Sequence, residues 1–314
     1  MESIAMSHFT AHHLFGQQVL KDAPSQIARL AEMNLSAFCW GLQGADLLYF
    51  HRRIDEFSEL PTYGKMIHGE KTNTLFTFLA QDLLNHRKCA DFDVLLAYYY
   101  GFCCHYSLDR KLHPYVFSLQ KQIEDAAGDP KHFTGAHWYV EDGIDHEWND
   151  IAENMPVSTV TVEDYYMADK NLRRSIGGLY ARILWNVYGI RIQAKIVDEC
   201  FIDGVWRNDM LYQSNGVLKP HGIMIPQVIR TCPDLFELSA KAAPTRQDCL
   251  NLKKTAWYHH GDRRECHDSV IDLMIQAKEL ALTLLDRSAL AVKQGNRHLV
   301  TNFDFSRSFV DGKF

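Results

Sequence analysis

No stretch of this sequence reaches the roughly 18–20 consecutive apolar residues that a membrane-spanning helix needs. The 8 Cys contain no CxxC pair, so the spacing of a thiolate zinc knuckle or a redox motif is missing. No Gly-x-Ser-x-Gly element marks a serine nucleophile. Gly and Pro are sparse, at 18 and 9 of 314 residues, which excludes a collagen-like chain. An excess of cations is also missing. The 33 Lys+Arg face 39 Asp+Glu, a formal net charge of −6, and such a chain has no nucleic-acid footprint. The segment Met1 to His8 has neither a basic n-region nor a following apolar h-region, so no secretory signal is read. The expectation is a cytoplasmic protein whose Cys are reduced, small, buried hydrophobes.

What the chain has in excess is histidine: 16 in all, eleven of them before residue 147. With 46% hydrophobic and 23% charged residues the composition is globular. Its patterning is helical from end to end. Apolar residues recur at helical spacing over 9–20, 27–33, 72–84 and 91–108, the last apolar all round and therefore central. Pro114 suits the first turn of a further helix over 115–127. More helices are predicted over 131–149, 169–188, 191–201 and 269–292. Residues 157–162 read either as a strand or, from Thr161-x-x-Asp164, as a helix start. The expectation is one all-α domain over 1–314. The Gly- and Pro-rich region 204–245 reads as a long connection or a second-domain boundary, and the part after about 204 as a helical extension.

The chemistry concentrates between residues 101 and 115. His105, Asp109 and His113 stand four apart, which puts all three on one face of a helix, within reach of one ion. His137 and Glu141 repeat that spacing, with Asp145 on the same face. Imidazole and carboxylate are the usual nitrogen and oxygen ligands of catalytic zinc, and two helices each presenting such a pair can close a metal site inside a bundle. Both pairs lie on mostly apolar helices, where an unpaired charge is costly. Asp46 is a lone carboxylate in the nearly uncharged stretch 37–50, and His68 stands in what reads as a Gly-flanked loop, 64–70.

The order His12, Gly41-Leu42-Gln43-Gly44-Ala45-Asp46, Met66-Ile67-His68, His105-x3-Asp109-x3-His113-Pro114, His137-x3-Glu141 resembles the zinc-dependent phospholipase C family. That family is an all-helical, multi-helix bundle related to the S1/P1 nucleases. Ala11-His12-His13-Leu14-Phe15-Gly16 resembles the opening of its uncharacterised bacterial members. The resemblance covers residues 8 to about 146, the expected metal-site core. It implies two or three zinc ions. Asp46, His68, His105 and Asp109 would form a first site, His113, His137 and Glu141 a second, and His12 with Asp109 a third. Asp46 would also be the general base. The implied activity is metal-assisted hydrolysis of a phosphoester, in a small molecule or a phospholipid headgroup. Alternatives are a phosphomonoesterase or nuclease on the same scaffold, or a non-catalytic metal-stabilised module. Secreted members supply an N-terminal amine to the third ion. Here His8, one helical turn before His12, is a candidate replacement, and His13 is an alternative to His12.

Weaker signals get blander readings. Tyr98, Tyr99, Tyr100, Trp138, Tyr139, Trp148, Tyr165 and Tyr166 are either core or cleft. Arg173 and Arg174 read as a solvated helix face. His259, His260 and His267 read as a surface loop. His267-Asp268, with His221 and Asp304, is a loose match to an HD-type phosphohydrolase. His51, His86, His132, His146 and His298 have no evident partner in sequence and are expected to be structural or exposed.

Overall fold

The computed structural model describes residues 9–51, 59–127, 136–152, 166–212 and 248–310. The fold is all-α. Helices α1 (Phe9–Asp22), α2 (Ser25–Met33) and α3 (Leu35–Gln43) lead into a 3₁₀ helix, Gly44–Phe50. There follow α4 (Leu60–Gly69), α5 (Thr72–His86), α6 (Phe92–Ala127), α7 (Ala136–Ala152) and α8 (Lys170–Ile183). A π turn, Leu184–Tyr188, extends α8, and α9 covers Ala194–Tyr212. A small antiparallel hairpin, β1 (Trp257–Tyr258) and β2 (Glu265–Cys266), precedes α10 (Val270–Gln294) and α11 (His298–Thr301). The strand candidate at 157–162, most of the region 204–245, and His8, His132 and His221 lie outside the described residues.

Helix α6 is the axle. Every residue from Leu95 to Asp109 is buried, and α1, α2, α3, α5, α7, α8, α10, the 3₁₀ helix and β1 all pack against it. Sequence patterning predicts a helix over 91–108 and a fresh start at Pro114. The structure instead has one continuous helix with Pro114 inside it. An internal proline costs about 3 kcal/mol. Burial of Tyr115, Val116 and Leu119 just beyond it, each worth about 1.5–3 kcal/mol when complete, offsets that cost.

Helix α7 shows how pattern becomes position. Ala136, Val140, Ile144 and Trp148 are all buried, an apolar stripe at every fourth residue. His137, Glu141 and Asp145 form the adjacent stripe one position on, so docking the first stripe on the core turns the second toward α6. Ends are also specified locally. Ser269 and Asp272 form a reciprocal capping box at the start of α10, and Asp169 caps α8 by accepting from Leu172 N–H at 2.8 Å.

The aromatic residues with described side chains, Tyr98, Tyr99, Tyr100, Trp148 and Tyr166, are core. The seven described Cys are all free thiols. Among the described residues no helix is long and apolar enough to cross a membrane.

Helices α3 and α6 cross backbone against backbone at two glycines. A Cβ on Gly41 would stand 2.1 Å from the Tyr98 carbonyl oxygen, and one on Gly101 would stand 2.2 Å from the Phe38 carbonyl oxygen. Neither obstacle is a movable side chain. Gly101→Ala is expected to force the helices apart and destabilise the fold by about 1–3 kcal/mol, the usual size of overpacking. Chemical denaturation of the metal-free chain measures this; an unchanged midpoint would refute the close crossing.

Candidate metal centre

His105, Asp109 and His113 occupy successive turns of one face of α6, and His105 is completely enclosed. Opposite it, the chain leaves α3 through Gly44, whose φ of +49° is left-handed. A Cβ there would stand 2.1 Å from the His105 ring, so glycine is required both by conformation and by space. The Gly44 carbonyl accepts from the hydroxyls of Tyr98 and Tyr180, which pins the turn. Two residues later the 3₁₀ helix delivers Asp46, buried, to the same centre.

His68 arrives from α4. The sequence reading puts it in a loop, but it lies in the last turn of a helix. Gly64 does not break that helix, because it packs closely on the Tyr49 ring. His68 Nδ1 donates to the Gly64 carbonyl at 2.8 Å, which turns Nε2 inward. Nε2 is then 3.2 Å from Asp46 Oδ1, 3.2 Å from His105 Nε2 and 3.5 Å from Asp109 Oδ2.

His12 comes from α1. The start of this helix is held by Asp145 of α7, whose Oδ1 accepts from the Ala11 N–H at 2.8 Å. A carboxylate satisfies one of the open amides there and suits the helix dipole. His12 Nε2 lies 3.3 Å from Asp109 Oδ1, and its Nδ1 lies 3.4 Å from His105 Nδ1. His13 faces away, with its ring nitrogens beside Gln17 and Cys39. Burial pushes its pKa down to about 4.

A third grouping sits one turn further along α6. His137 Nδ1 contacts Gln120 Oε1 at 3.0 Å, and its Nε2 is 3.1 Å from Glu141 Oε1. His113 Nε2 is 3.5 Å from the same oxygen. Three groups of ligand atoms could therefore hold a metal ion: His12, His105 and Asp109; Asp46, His68 and His105; His113, His137 and Glu141. All eight residues singled out in the sequence are in these three groups.

The electrostatics match a cation site. Burial opposes ionisation of Asp109, but the neighbouring His105 and His113 hold its pKa far below the ordinary carboxylate value. Burial likewise opposes a charge on His113, yet Asp109 and Glu141 push its pKa up to about 10. His12 and His68 are also raised, against burial, by Asp109 and Asp46. For His105 burial dominates and lowers the pKa to about 4, leaving a neutral imidazole. The donor set fits zinc. Asp109 Oδ2 is buried with three imidazoles within 4 Å and no aligned hydrogen bond. The 3.2 Å between His68 and His105 nitrogens is close to the ~3.4 Å edge of a tetrahedron with zinc–nitrogen bonds near 2.1 Å.

Other candidates have different roles. His267 pairs with Glu265 on the surface and Asp304 pairs with Arg110, so an HD-type site does not assemble among the described residues. Arg173 is bound to Asp198 and to the Ala168 carbonyl. His51 and His86 do have partners, Glu199 and Asp82. His259 is buried rather than exposed, in the hairpin turn, where its Nδ1 accepts from the Gly261 N–H. Sequence reasoning placed Asp145 on the His137–Glu141 face but not its bond to α1, and it missed Gln120 and the Gly64 carbonyl. Asp145 and Gln120 carry only weak helical-spacing signals, and the Gly64 carbonyl carries none.

No curated protein and no solved structure matched the chain. The family model of zinc dependent phospholipase C matches residues 11–189, a span that runs from within α1 past the end of α8 and holds all three groups of ligand atoms. With more than half of the chain matched and the histidine–carboxylate cluster assembled inside that span, the protein belongs to the zinc-dependent phospholipase C family.

Proposed function

We propose that this chain is a phospholipase C-like zinc hydrolase that cleaves phosphoester bonds, with a phospholipid headgroup or a related small phosphodiester as substrate. The observation that supports it best is Asp109, a buried carboxylate facing His12 through one oxygen and His68 and His105 through the other. Asp109 would thereby contribute to more than one metal site. In this reading Asp46, His68, His105 and Asp109 hold the first ion. His113, His137 and Glu141 hold the second, and His12 with Asp109 the third. Zinc held there supplies a water-derived nucleophile at neutral pH and offsets charge on the phosphoryl oxygens. Asp46 takes the proton from the attacking water. Gln120 orients His137, as supporting groups around metal ligands do, and Asp145 holds the start of the helix that carries His12. The reading includes a single domain with its metal core in 8–146. It also includes a reducing, cytoplasmic setting, which the free thiols fit.

Metal analysis of chelator-free protein, beside a panel of phosphodiester and phosphomonoester substrates, tests this reading. At least two zinc ions and turnover of a phosphodiester are expected; a metal-free, inactive preparation would overturn it. Asp109→Asn is expected to lose metal and hydrolysis together. Asp46→Asn should keep most of its zinc while the rate falls about 10²–10⁴-fold, the usual size of general-base catalysis. Full activity in Asp46→Asn, or full metal content in Asp109→Asn, would refute the division of roles.

Zinc binding should also depend on pH in one direction. Without a metal, Asp109 and Glu141 push the His113 pKa well above neutral, to about 10, so zinc must displace a proton from it at pH 7. Affinity should rise as pH increases from 6 to 9. Calorimetry at pH 7 in buffers of different ionisation enthalpy should show proton release. Zinc binding without released protons would contradict the assignment of His113.

A further inference from the structure

Two of the ligand-bearing helices are joined by a segment that lies outside the family match. Residues 303–310 follow α11 and run back across α5 and α6. Phe305 stacks on Phe76 with ring centroids 4.2 Å apart. The Arg307 carbonyl accepts from the Tyr106 hydroxyl at 2.9 Å, and the Asp304 carbonyl accepts from Arg110 at 2.9 Å. Phe309 is fully buried. Its ring centroid is 5.2 Å from that of His68 and 5.6 Å from that of His105, with Phe102 and Tyr106 closing the other sides.

The Phe309 backbone makes two bonds, one to each side of the cluster. Its N–H donates to the His68 carbonyl at 3.1 Å. Its carbonyl lies 3.0 Å from His113 Nδ1. A carbonyl only accepts, so Nδ1 carries a proton, and Nε2, 3.5 Å from Glu141, is the nitrogen that would face a metal ion once its own proton is released. His68 takes its orienting acceptor from Gly64, one turn back in its own helix, and His137 takes Gln120 from α6. Both acceptors lie inside residues 11–189. His113 takes its acceptor from position 309, 120 residues beyond the end of the family match.

We propose that Phe309 is a positioning residue for the metal centre: its carbonyl selects the tautomer and ring orientation of His113, and its buried ring holds that carbonyl in place. The C-terminal segment thereby completes the His113, His137 and Glu141 site, which the family-matched part of the chain leaves without one of its orienting groups. The inference rests on the zinc reading above and specifies which part of the chain that reading needs.

The test compares zinc binding by the full chain, a chain ending at Ser306, Phe309→Ala and Phe309→Leu. Competitive chelator titration reads the affinity of each ion, circular dichroism reads the helix content, and long-range ¹H–¹⁵N spectra of the histidines read the tautomers. The zinc-loaded full chain should show a neutral His113 protonated at Nδ1. The shortened chain should keep its helices but bind one of its zinc ions about 10–100-fold less tightly, the usual effect of losing an orienting partner. Phe309→Ala should show a smaller loss in the same ion with mixed His113 tautomers, and Phe309→Leu should restore most of it. Unchanged zinc affinity in both the shortened chain and Phe309→Ala would overturn the proposal. If the shortened chain fails to fold, Phe309→Ala alone decides: a selective loss at one ion supports the proposal, and an unchanged or uniform loss refutes it. A full chain that binds no zinc would refute the metal reading itself, a result separable from all of these.

Discussion

A single buried carboxylate sets the terms for the whole molecule. Asp109 sits on the central helix with His12, His68, His105 and His113 within 4 Å. A carboxylate taken out of water is tolerated only where opposite charge and hydrogen-bond donors replace its hydration. Here those partners come from α1, α4 and two further turns of α6 itself. The charge can exist in the core only if those elements close around it. Conversely, it gives three separate stretches of chain a common point on which to converge.

The scaffold is built to make that convergence rigid. Gly41 and Gly101 bring α3 against α6 at backbone distance, so the turn at Gly44 can lie directly on His105. Tyr98 and Tyr180 hold the turn from two other helices. Asp145 ties the start of α1 to α7, and with it His12. Each support is a hydrogen bond or close contact among buried residues, where an unmade bond costs about 1–3 kcal/mol. Movement of one ligand is thereby resisted by several elements at once. That is the property a metal centre needs when its ions must be held for chemistry rather than merely bound.

The parts of the site that were legible in the sequence share one feature: their geometry is local. His105, Asp109 and His113 must lie on one face of any helix that contains them, as must His137 and Glu141. The every-fourth apolar stripe of α7 could be read the same way. Where local rules compete, sequence reasoning went astray. Pro114 and the glycines around His68 are breakers by propensity, yet both segments are helical, because burial of the neighbouring side chains outweighs the intrinsic cost. His51, His86 and His259 seemed unremarkable for a related reason. The partners of His51 and the burial of His259 come from other elements, and His86 pairs one turn back with Asp82.

Composition and periodicity alone determined the helical class, the centrality of α6 and the two His–carboxylate ladders, since these follow from a 3.6-residue repeat and the cost of placing charge on an apolar face. Only the tertiary structure decided that His12 and not His13 turns toward Asp109, that Gly44 must be glycine, and that the Phe309 carbonyl meets His113. The choice between His12 and His13 is a rotation of α1 by one residue, about 100°; it goes with burial of Ala11, Leu14, Phe15 and Val19 on other elements and with the bond from Ala11 N–H to Asp145, 134 positions away. The other two depend on contacts of 61 and 196 positions. Interactions between residues so far apart leave no periodic trace in the chain; they exist only after the helices have packed.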